Sequence, residues 1–196
     1  MRLKALRPAV MMFISLTFIT GILYPLLVTL IAQMVFPEQA NGSLITADNQ
    51  LVGSSLIGQM SDDPHYFWSR PSAVSYMQGA SLEALVSSGA TNYGSTNEIL
   101  AENVIIREQA FRAANNVPDD VRLPIEMLFA SGSGLDPHIS PEAARLQIDR
   151  VAEARGLERE IIANLVEQYV EMPQLGFLGQ PRVNVLRLNL ALDGLE

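Results

Sequence analysis

Residues 8–37 read PAVMMFISLTFITGILYPLLVTLIAQMVFP and hold no charged side chain. A helix of about 20 apolar residues crosses the hydrocarbon of a bilayer, so this run predicts one transmembrane helix over residues 9–36. A cleaved leader has an apolar region of about 7–15 residues followed by small residues at its cleavage site. The run is about twice that length, and no A-x-A pattern follows it, so the expectation is a retained anchor. Arg2, Lys4 and Arg7 immediately precede it. Basic residues beside a span stay in the cytoplasm. That predicts a cytoplasmic N-terminus over residues 1–8 and, in a bacterium, a periplasmic or extracytoplasmic domain over residues 37–196 on a single-pass inner-membrane anchor.

Within the span, Tyr24-Pro25 removes a backbone donor near the middle of the helix. Ser15, Thr17, Thr20, Gly21 and Thr29 are small enough to let another helix approach closely. Thr20, Gly21, Tyr24 and Pro25 are therefore candidate contacts with partner helices; a kinked anchor surrounded by lipid is the alternative.

Working outward, 48% of the 196 residues are apolar and 17% charged, against about 25% charged in a soluble domain. The apolar run accounts for that imbalance. The chain has 13 Lys+Arg and 21 Asp+Glu for a net charge of −8; three of the bases precede Phe36 and all the acids follow it, leaving −11 after Phe36. Such a domain repels nucleic acid and anionic lipid. Cysteine is absent, which excludes disulfides, thiolate metal sites and a cysteine nucleophile.

The expected fold class is thus a single N-terminal transmembrane helix followed by a small α+β extracytoplasmic domain. Leu44-Ile45 and Leu51-Val52 flank Asp48-Asn49 and predict a hairpin. Residues 61–96, with two prolines and no sustained period, read as a long ordered loop held by Tyr66, Phe67, Trp68 and Tyr76. Ser95-x-x-Glu98 matches a capping box, opening a helix with Ile99, Ile106, Ala110 and Ala113 at helical spacing beside Leu100, Val104 and Phe111. Residues 125–129 form a short buried element of unassigned type. Ser140, Pro141 and Glu142 start a helix that buries Ala144, Ile148, Val151 and Ala152 and stops at Gly156. A further helix, with Ile161, Ile162, Leu165, Val166, Tyr169 and Val170, ends at Met172-Pro173. Residues 182–192 admit strand or helix.

No phosphate-binding loop, D-K-T-G, G-x-S-x-G or H-E-x-x-H motif occurs. The two histidines sit in one repeated tripeptide, Asp63-Pro64-His65 and Asp136-Pro137-His138. Asp-Pro commonly starts a turn. The alternative is two imidazoles and two carboxylates offered to a metal, which would make the chain an anchored periplasmic metal-dependent hydrolase; a Ser/His/Asp triad through either histidine is numerically possible. Ser87–Asn92 is a small-residue loop whose amides could meet an anion. Arg145, Arg150, Arg155 and Arg159, among Glu142, Asp149, Glu153, Glu158 and Glu160, predict a solvated, ion-paired face.

Taken in order, TGILYPLLVTLIAQMVFPEQANGSLI, GSSLIGQ, YFWSRPSA, SGSGLDPHISPEAARLQIDRVAEARGL and LGQPRVNVLRLNLALD resemble the C subunit of the Kdp potassium-transporting ATPase. The resemblance implies a bacterial complex with a potassium-channel-like subunit, a P-type ATPase subunit and a small peptide subunit. This chain would be the accessory member, non-catalytic, needed for assembly and described as a catalytic chaperone that raises ATP affinity. Potassium would be the transported ion, ATP reachable through the complex, and no cofactor firmly bound. The nucleotide contacts ascribed to a Gly-rich segment map here to Ser88, Gly89, Thr91 and Asn92. Ala90 stands where the family has Gly, Thr91 where it has Ser, and Trp68 where His is common. Net −11 repels a nucleotide, and the expected topology puts the domain on the side where ATP is scarce.

Overall fold

A computed structural model describes residues 3–47, 49–74 and 87–194. By its internal contacts the chain divides at Ser54/Ser55 into two units. In the first, α1 (Leu3–Phe18) and α2 (Tyr24–Val35) are joined by a π-helical turn, Ile19–Leu23. Pro25 has no N–H, and its ring crowds the carbonyl four residues back. The turn widens to absorb this: the Tyr24 N–H donates to Ile19, five residues earlier, while the Thr20 hydroxyl donates to the Leu16 carbonyl at 2.7 Å. The helix is therefore wound more loosely before Pro25 and not interrupted. Leu6–Val35 is the one helix among the described residues long and apolar enough to cross a membrane, and none of it is buried within the chain. That surface needs lipid or other helices to cover it.

A short helix, α3 (Pro37–Ala40), leads into β1 (Leu44–Ala47) and β2 (Gln50–Ser54). They pair antiparallel as the turn formers require, with an irregularity between Ile45 and Thr46.

The second unit carries α4 (Glu98–Asn115), a 3₁₀ turn (Ile125–Met127), β3 (His138–Ile139), α5 (Pro141–Arg145), α6 (Ile148–Arg155), α7 (Arg159–Gln168), β4 (Val170–Glu171), β5 (Arg182–Asn184) and α8 (Val185–Asp193). The strands form an antiparallel sheet ordered β3-β5-β4. Helix α7 packs on α5, α6 and α8. Phe67, Phe111, Ile139, Val151, Ile162, Val166, Val183 and Leu188 form the centre of the core, and the unit is α+β as expected.

Several local expectations change. Asn97, not Ser95, caps α4, its side chain accepting from the Ile99 and Leu100 N–H groups. Asn97 has the extended backbone (φ −76°, ψ 125°) a cap needs. Ile99 and Ile106 are exposed; the inward stripe runs Leu100, Val104, Arg107, Phe111, Asn115, one helical step away. In the 125–129 element only Met127 is buried. The helix opened by Ser140 is two helices: at the break the Gln147 N–H bonds Ala144, three residues back, which tightens the chain. Gly156, in the left-handed region (φ 64°), closes α6 as expected. Helix α7 stops at Gln168 because Val170-Glu171 leaves it to pair with β5. Residues 182–192 contain both alternatives, a strand and then a helix, with Asn184 as the cap between them.

The arginine series also divides. Arg145 pairs with Glu167 (2.7 Å), Arg155 with Asp193 (2.8 Å) and Arg159 with Asp149 (2.6 Å). Arg150 does not join them: it is buried and, among the described residues, makes no ion pair with a carboxylate. Its Nε donates to the Asn115 amide oxygen (2.9 Å), and its terminal nitrogens to the Pro64 (2.6 Å) and Tyr66 (3.0 Å) carbonyls and to Gln147 (2.8 Å). The guanidinium lies 4.4 Å over the Trp68 ring. Burial lowers its pKa to about 10.

Candidate functional site

The long loop owes its order to side chains from elsewhere in the second unit. The Asn189 amide brackets Phe67, accepting from its N–H (2.8 Å) and donating to its carbonyl (3.0 Å). Gln147 does the same for Trp68, at 2.7 and 3.3 Å. With Arg150 these two amides satisfy a stretch of backbone that has no strand partner. The loop's continuation, Arg70 to Val74, then runs beside the Ser131–His138 segment: the Ser131 N–H donates to Pro71 (3.0 Å), and the Ser72 hydroxyl to Gly134 (2.7 Å). Tyr76 lies outside the described residues.

The segment Ser88–Asn92 meets the same place. The Ser88 hydroxyl (2.8 Å) and the Gly89 N–H (2.9 Å) both donate to the Ser133 carbonyl. Asn92 adopts the left-handed region (φ 54°), with its side-chain amide on the Ala90 carbonyl at 3.3 Å. Gly134 allows this approach. Its φ is +71°, and a Cβ there would lie 2.6 Å from the Gly89 carbonyl oxygen. Two groups that a phosphate would need, the Ser88 hydroxyl and the Gly89 amide, thus already face Ser133.

Beside this clasp, Arg70 pairs with Asp136 at 2.7 Å. The His138 N–H donates to the same carboxylate at 3.0 Å, with ring Nδ1 3.6 Å away. His138, foremost, and then Arg70 hold the Asp136 carboxyl down at about 2 despite its burial. Nε of Arg70 and the Ser131 hydroxyl are shielded from solvent and have no hydrogen-bond partner among the described residues. A cavity of about 280 Å³ opens alongside, lined by Trp68, Arg70, Ser72, Arg107 and Phe111 among others.

Both histidine tripeptides are turns of one type, with the His N–H on the Asp carboxylate two residues back, at 2.9 Å in Asp63-Pro64-His65 and 3.0 Å in Asp136-Pro137-His138. The His65 N–H and ring lower the Asp63 pKa. His138 also faces Glu171 at 4.0 Å. Among the described residues, no group of three or more His, Asp or Glu is placed to hold a metal ion. Nor, among the described residues, does a serine hydroxyl hydrogen-bond to either histidine. What the site does chemically is join three distant segments with hydroxyls, amides and one half-buried ion pair.

The sequence reading pointed to Ser88–Asn92 and to both histidines but missed Gln147, Arg150, Asn184 and Asn189. Their signal was a polar residue on a helix face otherwise apolar: Gln147 and Arg150 beside Ala144, Ile148 and Val151, and Asn189 between Leu188 and Leu192. In the first unit, Thr20, Gly21, Tyr24 and Pro25 all fall on or beside the π turn, and apart from Gly21's own helix backbone nothing among the described residues lies within 4 Å of a Cβ added at Gly21.

Comparison with known proteins agrees. The family described as KdpC, the c chain of the K+-transporting ATPase, matches residues 6–194. A "Potassium-transporting ATPase KdpC subunit" of Methylococcus capsulatus (strain Bath) is 50% identical, each chain covered over 97%. One from Sorangium cellulosum is 51% identical over 98% of both, and one from Dechloromonas aromatica 52% over 97% of both. Spanning nearly the whole chain at half identity, these matches show that the chain belongs to the KdpC family, the c chain of the K+-transporting ATPase.

Proposed function

We propose that the chain is a non-catalytic accessory subunit which stabilises assembly of a potassium-channel-like subunit and a P-type ATPase subunit, with a small peptide subunit, in an ATP-driven potassium importer. The observation that carries this is the span, which is apolar on every side and widened at Ile19–Leu23 beside the open Gly21. Loosened backbone next to a residue without a side chain suits close packing of another helix. In this reading Arg2, Lys4 and Arg7 hold the N-terminus in the cytoplasm, and the second unit lies outside the bacterial inner membrane. Its acidic surface, part of the net −11 after Phe36, raises local potassium concentration at the entrance to the pathway. Any rise in ATP affinity is transmitted through the complex. Supporting that, the Ser88 hydroxyl and Gly89 amide are engaged by Ser133.

Gentle-detergent purification of the tagged chain from potassium-starved cells tests the subunit reading. Co-purification of the ATPase and channel-like subunits in fixed ratio is expected; a lone, monodisperse chain would refute it. Neutralising exposed Asp119, Asp120, Glu153, Glu158 and Glu160 tests the steering: apparent potassium affinity should fall more at low than at high ionic strength. An effect independent of salt rejects it.

A further inference from the structure

The turn between β4 and β5 is apolar at its tip and displays those side chains outward. Residues 172–181, MPQLGFLGQP, hold no charge. Met172 is 73% exposed, Leu175 83%, Phe177 74% and Leu178 50%. The turn is built rather than slack: Gln174 and Leu178 exchange backbone hydrogen bonds at 3.0 and 2.9 Å, and the Gly176 N–H donates to Pro173 at 3.0 Å. Leu175 sits in the left-handed region (φ 54°), beside Gly176 (φ 83°) and Gly179 (φ 95°). A leucine held in that region is strained. At the base, Arg182 is neutralised by Glu171 at 2.9 Å.

From this we infer that Leu175, Phe177 and Leu178 form a preorganised knob that inserts into an apolar cavity of another subunit of the same ATPase complex. The inference rests on the subunit reading above and names its contact surface. Charge selects the occupant. A second copy would set one −11 domain against another, and an anionic bilayer is repelled likewise. The turn also lacks the Trp, Tyr, Lys or Arg that anchors a segment at a lipid headgroup. A rigid cluster of aromatic and aliphatic side chains loses little freedom on binding and is the composition that dominates interfaces between proteins.

The test uses membranes in which all subunits are co-expressed, with Phe177 replaced by the photoreactive p-benzoyl-phenylalanine. Irradiation should give an adduct with another subunit of the complex, identified by mass. Adducts only with lipid or with a second copy of the chain, or none at all, overturn the inference. In parallel, Phe177→Ser should lower retention in detergent of the subunit found in the adduct about tenfold, with the emission of Trp68 unchanged; undiminished retention of that subunit overturns it too. If the unsubstituted chain fails to retain the ATPase subunit, the subunit reading itself has failed. If it retains the subunit and Phe177 reaches only lipid, the knob alone is wrong.

Discussion

Replacing Arg150 by methionine keeps most of the side-chain volume while deleting every donor. In the folded chain the Asn115 amide oxygen, buried and held at 2.9 Å, loses its partner. The half-buried Pro64 and Tyr66 carbonyls lose theirs, and Trp68 loses the cation 4.4 Å above its ring. Gln147 keeps the Trp68 N–H at 2.7 Å. An acceptor orphaned inside the protein costs about 1–3 kcal/mol, and each half-buried bond to a charged donor about 1. Part of this is recovered because a cation whose pKa burial has pushed to about 10 need no longer be desolvated. The net loss for Arg150→Met is about 3 kcal/mol, against the roughly 5–15 that holds a domain together. The assay is urea unfolding in detergent followed by Trp68, the only tryptophan, which reports on the contact removed. With a slope of about 1–3 kcal/mol per molar, the midpoint should fall by about 1–3 M. A loss below about 1 kcal/mol would show that Arg150 does not hold the loop, since surface changes alone stay within about 0.5.

Further outcomes follow from the same geometry. Gly134→Ala places a Cβ 2.6 Å from the Gly89 carbonyl at φ +71° and should cost about 2 kcal/mol or more, whereas Gly94→Ala, with nothing within 4 Å, should stay within about 0.5; thermal unfolding compares the two. The Asp136 pKa is lowered from 3.8 to about 2, so its contribution is fully present above pH 3.8 and lost as pH falls toward 2. Asp136→Asn should therefore be less stable than the parent above pH 3.8, the gap closing near pH 2, as urea midpoints across that window will show. Pro25→Ala restores a backbone donor and should return the π turn to ordinary helix; membrane insertion should be unchanged and retention of partner subunits reduced, read by alkaline extraction and co-purification respectively.

Much of the fold was legible because its signals are local. A 30-residue, predominantly apolar run, Leu6–Val35, is long enough to cross a membrane whatever surrounds it. The turn formers around Asn49, the Ser140-Pro141-Glu142 start and the Gly156 stop act within a turn of themselves, and each element appears where its signal lies. The readings that moved depended on contacts between distant segments. Asn97 overrode Ser95 because the chain enters α4 extended at that residue. Val170-Glu171 left α7 because β5 offered hydrogen-bond partners. Residues 182–192 resolved into strand and helix only when β3 and β4 flanked β5. Among the site residues, Ser88 and Gly89 were singled out for their small size, but their partner, the Ser133 carbonyl, lies 45 residues away along the chain from Ser88.

By itself, the sequence determined the long apolar helix, the segregation of charge, the order of the elements and membership of the family, since hydrophobic length, charge and identity all sum along the chain. Only the tertiary structure decided that Arg150 is a buried hub while Arg145, Arg155 and Arg159 pair with carboxylates. The same holds for Asn189 and Gln147 replacing a strand in holding Phe67 and Trp68, and for Leu175 and Phe177 facing outward. The physical reason is that burial and hydrogen-bond partnership are properties of pairs of segments. A polar or apolar side chain acquires its role from whichever distant group the fold sets beside it.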